Sequence, residues 1–206
     1  MHPSLKTFVT GLCVVMLAGC GVTKPSRFYI LTPVEDSSTH AMTAPGPALG
    51  IGPVTFPAYL DRPEIVHRSG NNQLHFEGSQ RWAEPLKTTF IRTLAENLSI
   101  ILPTDRTSIH PWPRSTRLDY QVSVDVVRFD ADAGGTVVLV AGWEVIRTHD
   151  SIVLERSKTT YTQAAGAFDY PAIVAAQSHV VEQLSRDIAA AIRRATGTGA
   201  ADSGST

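Results

Sequence analysis

Cysteine is nearly absent: the 206-residue chain has two, Cys13 and Cys20, both within its first twenty residues. That excludes a fold stapled by disulfides and a metal centre built on several thiolates. An excess of charge of either sign is missing too. Lys and Arg number 18 against 19 Asp and Glu. No basic excess points to nucleic acid, and there is no acidic tail. A membrane-spanning helix needs about 20 apolar residues; the N-terminal run Phe8–Ala18 has eleven. Catalytic signatures are lacking as well. There is no Gly-x-Ser-x-Gly elbow and no phosphate-cradling loop. Gly50-Ile51-Gly52 lies in a strand pattern with no helix after it. The histidines His2, His40, His67, His75, His110, His149 and His179 show no metal-ligand spacing. His67 and His75 are placed to face each other across a hairpin and are read as exposed. Asp130 and Asp132 fall at a turn and are read as solvated. With no nucleophile, metal set or paired acids, the chain is read as no enzyme, with no metal and no cofactor.

What is present begins at the N-terminus. His2, Lys6 and the terminal amine make a positive head before the apolar run, and small residues Ala18 and Gly19 follow. This is the order of an export signal. Leu17-Ala18-Gly19-Cys20 resembles the bacterial lipobox, in which the chain is cut before the cysteine and its thiol is diacylated. Lipidation at Cys20 is therefore expected, and this covalent lipid is the only non-protein group expected. Each buried methylene contributes about 0.8 kcal/mol and one chain holds only marginally. Two or three chains make attachment effectively permanent. Gly21, where an Asp would favour inner-membrane retention in enteric-type bacteria, leans toward the outer membrane. Cleavage would leave 187 residues with 17 basic and 19 acidic side chains and no free thiol. Stability must then come from packing. The organisation expected is a signal peptide over 1–19, an acylated Cys and tether over 20–27, one folded domain over 28–195 and a disordered Gly/Ala/Ser/Thr tail over 196–206.

The domain reads as α+β. Arg27–Thr32 is a first strand ended by Pro33, and residues 34–48 form a Pro/Gly-broken loop. Leu49–Phe56 is a second strand in which Pro53 suggests an edge or an end. Glu64–Arg68 and Gln73–Glu77 flank Ser69-Gly70-Asn71-Asn72 as a hairpin. A helix over Trp82–Leu98 carries Leu86, Phe90, Leu94 and Leu98 on one stripe beside Ile91 and Ile101, with Pro85 in its first turn. Leu118–Phe129, Thr136–Arg147 and Ile152–Tyr161 alternate apolar and polar residues and make an antiparallel meander. A last helix over Tyr170–Ala195 carries Ile173, Val180, Val181, Leu184, Ile188 and Ile192. The architecture expected is an antiparallel sheet with two helices packed on one face.

The densest unusual chemistry lies in YLDRPEIV and GSQRWAEPL. Tyr59, Asp61, Arg62, Glu64, Arg81, Trp82 and Glu84 mix aromatics with both signs of charge. One reading makes them charge pairs that fix the hairpin against the helix start, with Trp82 capping the core. The other makes them a partner-docking surface, since Trp, Tyr and Arg anchor interfaces.

FYILTP, followed by PAYLDRPEIVHRSGNNQLHFEGSQRWAEPLKTTFIRTLAENLS, resembles the ABC-type transport auxiliary lipoproteins, the PqiC-like (YmbA-like) family. The resemblance covers about Phe28 to Ala195. It implies an α+β fold similar to the N-terminal domain of TolB. It implies a non-enzymatic, periplasmic, outer-membrane-anchored lipoprotein that works with an MCE-domain protein and its membrane transporter in moving lipids or other hydrophobic cargo between membranes. It supplies no catalytic residues, and a homo-oligomer is compatible with it. Two alternatives stay open: a structural outer-membrane lipoprotein of another envelope assembly, and a periplasmic hydrolase or lipid carrier.

Overall fold

The computed structural model describes residues 25–35, 46–70, 72–166 and 168–202, the last five by backbone alone. The signal segment and Cys20 lie outside these residues. Strands β1 (Arg27–Tyr29), β2 (Leu49–Thr55), β3 (Glu64–Gly70) and β4 (Gln73–Trp82) come first, with a 3₁₀ turn at Ala58–Leu60 between β2 and β3. Helix α1 (Leu86–Ile101) and strand β5 (Thr107–Ile109) follow. Strands β6 (Tyr120–Ala131), β7 (Thr136–Arg147) and β8 (Ile152–Ala164) precede helix α2 (Tyr170–Asp202).

The β6–β7–β8 meander forms because each strand has one apolar face. Tyr120, Val122, Val124 and Val126 of β6 and Val137, Leu139, Ala141, Trp143 and Val145 of β7 are buried. Both pairings are antiparallel over nearly their whole length. Within β6 the alternation breaks once. A register shift between Val126 and Arg128 leaves Val127 exposed and moves the inward phase to Phe129 and Ala131, as a bulge does.

The sheet is mixed rather than wholly antiparallel. On its other side β6 pairs in parallel with β2 over Tyr120–Asp125 and with β3 at Ala131. β2 also pairs in parallel with β5, and β1 with β4. Parallel neighbours need crossovers, and the β2-to-β6 connection contains α1. Pro53 marks an edge only locally. β2 has β6 on one side and β5 on the other as far as Ile51, and Pro53 sits beyond the β5 pairing, at the irregularity between Ile51 and Val54. Gly52 beside it has φ +125°, a conformation that glycine adopts without strain.

Trp82 ends β4 and does not open the helix. β4 runs past Glu77 because β1 pairs with it at Gln80, Arg81 and Trp82. Pro85 is extended and caps α1, its carbonyl accepting the Thr88 and Thr89 amides at 2.8 and 3.2 Å. The expected stripes are in the core: Leu86, Phe90, Leu94 and Leu98 from α1, and Ile173, Val180, Val181, Leu184, Ile188 and Ile192 from α2. Phe90 lies edge-on to Phe56 and Phe129, at 5.1 and 5.7 Å between centroids. α1 lies against β2 and β5, and α2 across β6, β7 and β8.

After β1 the chain threads past both helices. The Leu31 amide donates to Thr89 Oγ1, the Thr32 amide to Ser178 Oγ and the Val34 amide to Asn97 Oδ1. Asn97 is fully buried and donates through Nδ2 to Ser185 Oγ of α2 at 3.1 Å. It thus ties this segment, α1 and α2 together. Asn97→Ala takes the acceptor from the Val34 amide and one donor from Ser185 Oγ, which still donates to the Val181 carbonyl. An unsatisfied buried group costs about 1–3 kcal/mol. A loss of about 1–3 kcal/mol is expected, which lowers the melting temperature by roughly 2–12 °C for a domain of this size. Thermal unfolding followed by circular dichroism checks it; an unchanged midpoint would mean that water replaces both bonds.

Candidate docking site

The 3₁₀ turn and the β4–α1 junction meet because the Trp82 amide donates to the Pro63 carbonyl at 2.7 Å. This brings the two sequence-distant motifs together. Asp61, Arg62, Trp82 and Glu84, with Pro63, Ala83 and Pro85, line a concavity of about 340 Å³. Trp82 is 4% exposed, so it forms the floor and its ring belongs to the core. Asp61 is exposed on the rim. Glu84 pairs with Arg92 of α1.

Arg62 does two things. Its Nε donates to Glu64 Oε2 at 3.1 Å, and its guanidinium lies 3.6 Å above the Phe76 ring. That hydrogen bond, more than any other influence, holds the Glu64 carboxyl below the usual carboxylate range. Arg81 sits opposite Glu64 on β3 and Phe28 on β1. It lies one residue before Trp82, so it points to the other face of the sheet.

Tyr59 does not join this group. Its hydroxyl donates to Asp130 Oδ2 at 2.9 Å. Asp130 is not solvated, as its place near a turn suggested, but fully buried. It accepts from Arg68 Nε at 2.9 Å and from Arg128 Nε at 2.8 Å. Burial, then the charge of Asp130, pushes the Tyr59 phenol above its ordinary value, so the ring stays a hydrogen-bond donor at any physiological pH. Asp132 does serve the turn, accepting the Gly134 and Thr136 amides. His67 and His75 face each other as expected, 4.7 Å between ring centroids. His67 is half-buried rather than exposed, with Phe168 edge-on at 4.7 Å. Burial, then His75, lowers its pKa.

A second concavity, of about 610 Å³, was not foreseen. It lies over Gly142 on the sheet face away from the helices, between Pro53 and Asp125 on one side and Glu144 and Lys158 on the other. A Cβ on Gly142 would meet nothing closer than 4.0 Å, so packing does not demand glycine there. A glycine amid β-formers in a central strand was the available signal. No group of three or more His, Cys, Asp or Glu among the described residues is placed to hold a metal ion. No described helix is long and apolar enough to cross a membrane.

The arrangement offers a cleft with a Trp floor and charged rims beside a sheet edge. The model of the family described as "ABC-type transport auxiliary lipoprotein component" matches residues 29–189. The chain belongs to this family. The match begins at the end of β1 and ends inside α2, so it takes in the cleft and all of the sheet but Arg27 and Phe28. This auxiliary lipoprotein is 26% identical over 153 residues to the intermembrane transport lipoprotein PqiC of Escherichia coli, covering 74% of this chain and 79% of PqiC. The Shigella flexneri protein of the same name gives the same figures. Two crystal structures share its fold. One, of an uncharacterised protein, has a TM-score of 0.67 at 21% identity and covers 82% of this chain and 99% of its own. The other, a Xanthomonas campestris protein of the DUF330 family, has a TM-score of 0.64 at 16% identity and covers 83% and 99%. The α+β class read from the sequence is the class of the fold.

Proposed function

We propose that this auxiliary lipoprotein is acylated on Cys20, anchored in the outer membrane on its periplasmic side, and serves without catalysis in an MCE/ABC-type intermembrane transport system for lipids or similar hydrophobic cargo. The observation that carries the reading is the family match over residues 29–189, joined to a lipobox-like LAGC upstream of it. The relative named an intermembrane transport lipoprotein supports it, and so does Gly21. A component of this kind needs an anchor and a docking face. The cleft of Asp61, Arg62, Trp82 and Glu84 is the face proposed, with Arg81 supporting it from β4 and Tyr59 holding the adjoining 3₁₀ turn to Asp130. An MCE-domain protein and its transporter are the partners proposed.

The test is crosslinking of the tagged protein in its own bacterium, after separation of inner and outer membranes, with mass spectrometry of what is captured. Recovery from the outer membrane with an MCE-domain protein is the expected result. Recovery with partners of another assembly would keep the lipoprotein and sink the transport role. For the cleft, Asp61→Lys is the informative variant, because Asp61 is exposed and its loss leaves the core intact. Placing a like charge at an interface rim costs enough to expect at least about a tenfold loss of partner capture. Full capture by a correctly folded Asp61→Lys protein would move the docking face elsewhere.

A further inference from the structure

β1 is an edge strand, and the segment from Phe28 to Leu31 is apolar on both faces. Tyr29 and Leu31 point inward, Tyr29 packing against the core and Leu31 buried within it. Phe28 and Ile30 therefore point outward, and they are 64% and 48% exposed. An edge strand in water usually carries polar residues on that side. Here the outward positions hold a large aromatic and a branched aliphatic residue, next to each other on one face. Among the described residues neither makes a ring contact nor belongs to the core.

The position of this pair along the chain is informative. Seven residues separate Cys20 from Phe28, and the eight steps between the two reach at most about 29 Å when fully extended. Anchored at Cys20, the domain cannot carry β1 far from the lipid surface. The connecting residues from Gly21 to Arg27 include Lys24 and Arg27 and no acid, a charge suited to phosphate headgroups. Apolar side chains flanked by basic residues close to an acyl anchor have the composition of an interfacial membrane contact.

We infer that Phe28 and Ile30 form a second membrane contact, dipping into the headgroup region of the leaflet that holds the Cys20 lipid and so fixing which face of the domain looks into the periplasm. The inference rests on acylation of Cys20. With β1 at the membrane, the cleft floored by Trp82, one strand away on β4, lies near the lipid surface.

The full-length protein has a useful property for the test: after Cys20 the sequence has no other thiol. Phe28→Cys, Ile30→Cys and, as a distant reference on β8, Val153→Cys can each carry one nitroxide. The acylated variants are placed in phosphatidylethanolamine–phosphatidylglycerol vesicles. Collision of each label with oxygen and with a water-soluble nickel chelate is then measured by electron paramagnetic resonance. The expected result is an oxygen-to-nickel accessibility ratio at 28 and 30 severalfold above that at 153. Mass spectrometry of the N-terminal peptide reports acylation separately. Acylated protein with labels 28 and 30 as water-exposed as 153 would overturn this inference and leave the anchor standing. Labels shielded from both reagents would place the pair against protein and overturn it as well. An unacylated Cys20 would overturn the anchor and this contact together.

Discussion

Cys20→Ser is expected to move the protein from the membrane pellet to the soluble fraction almost completely. The reason is the way acyl chains combine. One buried chain gives an association constant of only about 10⁴ M⁻¹, and a second multiplies that value instead of adding to it. A thiol carrying two chains thus separates a permanent attachment from none. The contact proposed for Phe28 and Ile30 does not rescue the variant, since two partly inserted side chains bury far fewer methylenes than one acyl chain. Melting behaviour should not change, because the core is built from residues between Leu31 and Ile192. Fractionation with immunoblotting reads the first effect and thermal unfolding the second. A serine variant that still pellets, with an N-terminal peptide of unmodified mass in the parent, would refute acylation and with it the envelope role built on location.

How much of this was legible before the structure depends on the range of each interaction. The β6–β7–β8 meander and both helix stripes were legible because their signal is local: period two in Val122, Val124 and Val126, and a repeat of four in Leu86, Phe90, Leu94 and Leu98. The parallel pairs were not. β1 finds β4, and β2 finds β6, across more than fifty residues, and nothing in a three-residue strand such as Thr107–Ile109 announces its partner. The same cause shifted the start of α1. Trp82 looked like a helix-opening residue until β1 pairing extended β4 through it. Pro53 signalled an unpaired stretch, but not that β5 covers β2 as far as Ile51.

The candidate site divides in the same way. LAGC is a four-residue motif and can be read directly. Asp61, Arg62, Trp82 and Glu84 were grouped by chemical density, and one backbone bond from Trp82 to Pro63 brings the two stretches into one cleft. Tyr59 was grouped with them as an aromatic anchor, and the structure turns it toward Asp130. Asp130 was misjudged because β6 runs on through Ala131 instead of ending at Phe129 before a turn. Strict alternation from Val122 would place residue 130 on the inward face and 129 outside. The extra residue puts Phe129 in the core and Asp130 on the opposite side, beneath Arg68 and Arg128.

That buried carboxylate carries the second large effect. Asp130→Ala is expected to destabilise the domain by about 3 kcal/mol, the lower end of what losing one partner of a buried ion pair costs. The two guanidiniums left behind are 25% and 29% exposed and regain some water, whereas Asp130 itself is fully buried. For a domain of this length the midpoint of thermal unfolding should fall by roughly 6–12 °C. Tyr59 loses its acceptor in the same variant, so the link between the 3₁₀ turn and β6 loosens. If the loss arises from unpaired charge and not from the missing attraction, removing a cation as well must restore part of it. Asp130→Ala with Arg128→Met should therefore melt higher than Asp130→Ala alone. A double variant no more stable than the single one would mean that the carboxylate contributes chiefly by its hydrogen bonds to Arg68 and Tyr59. The turn bearing Asp61 would then be held to the sheet through Asp130 itself, and partner capture should fall in both variants alike.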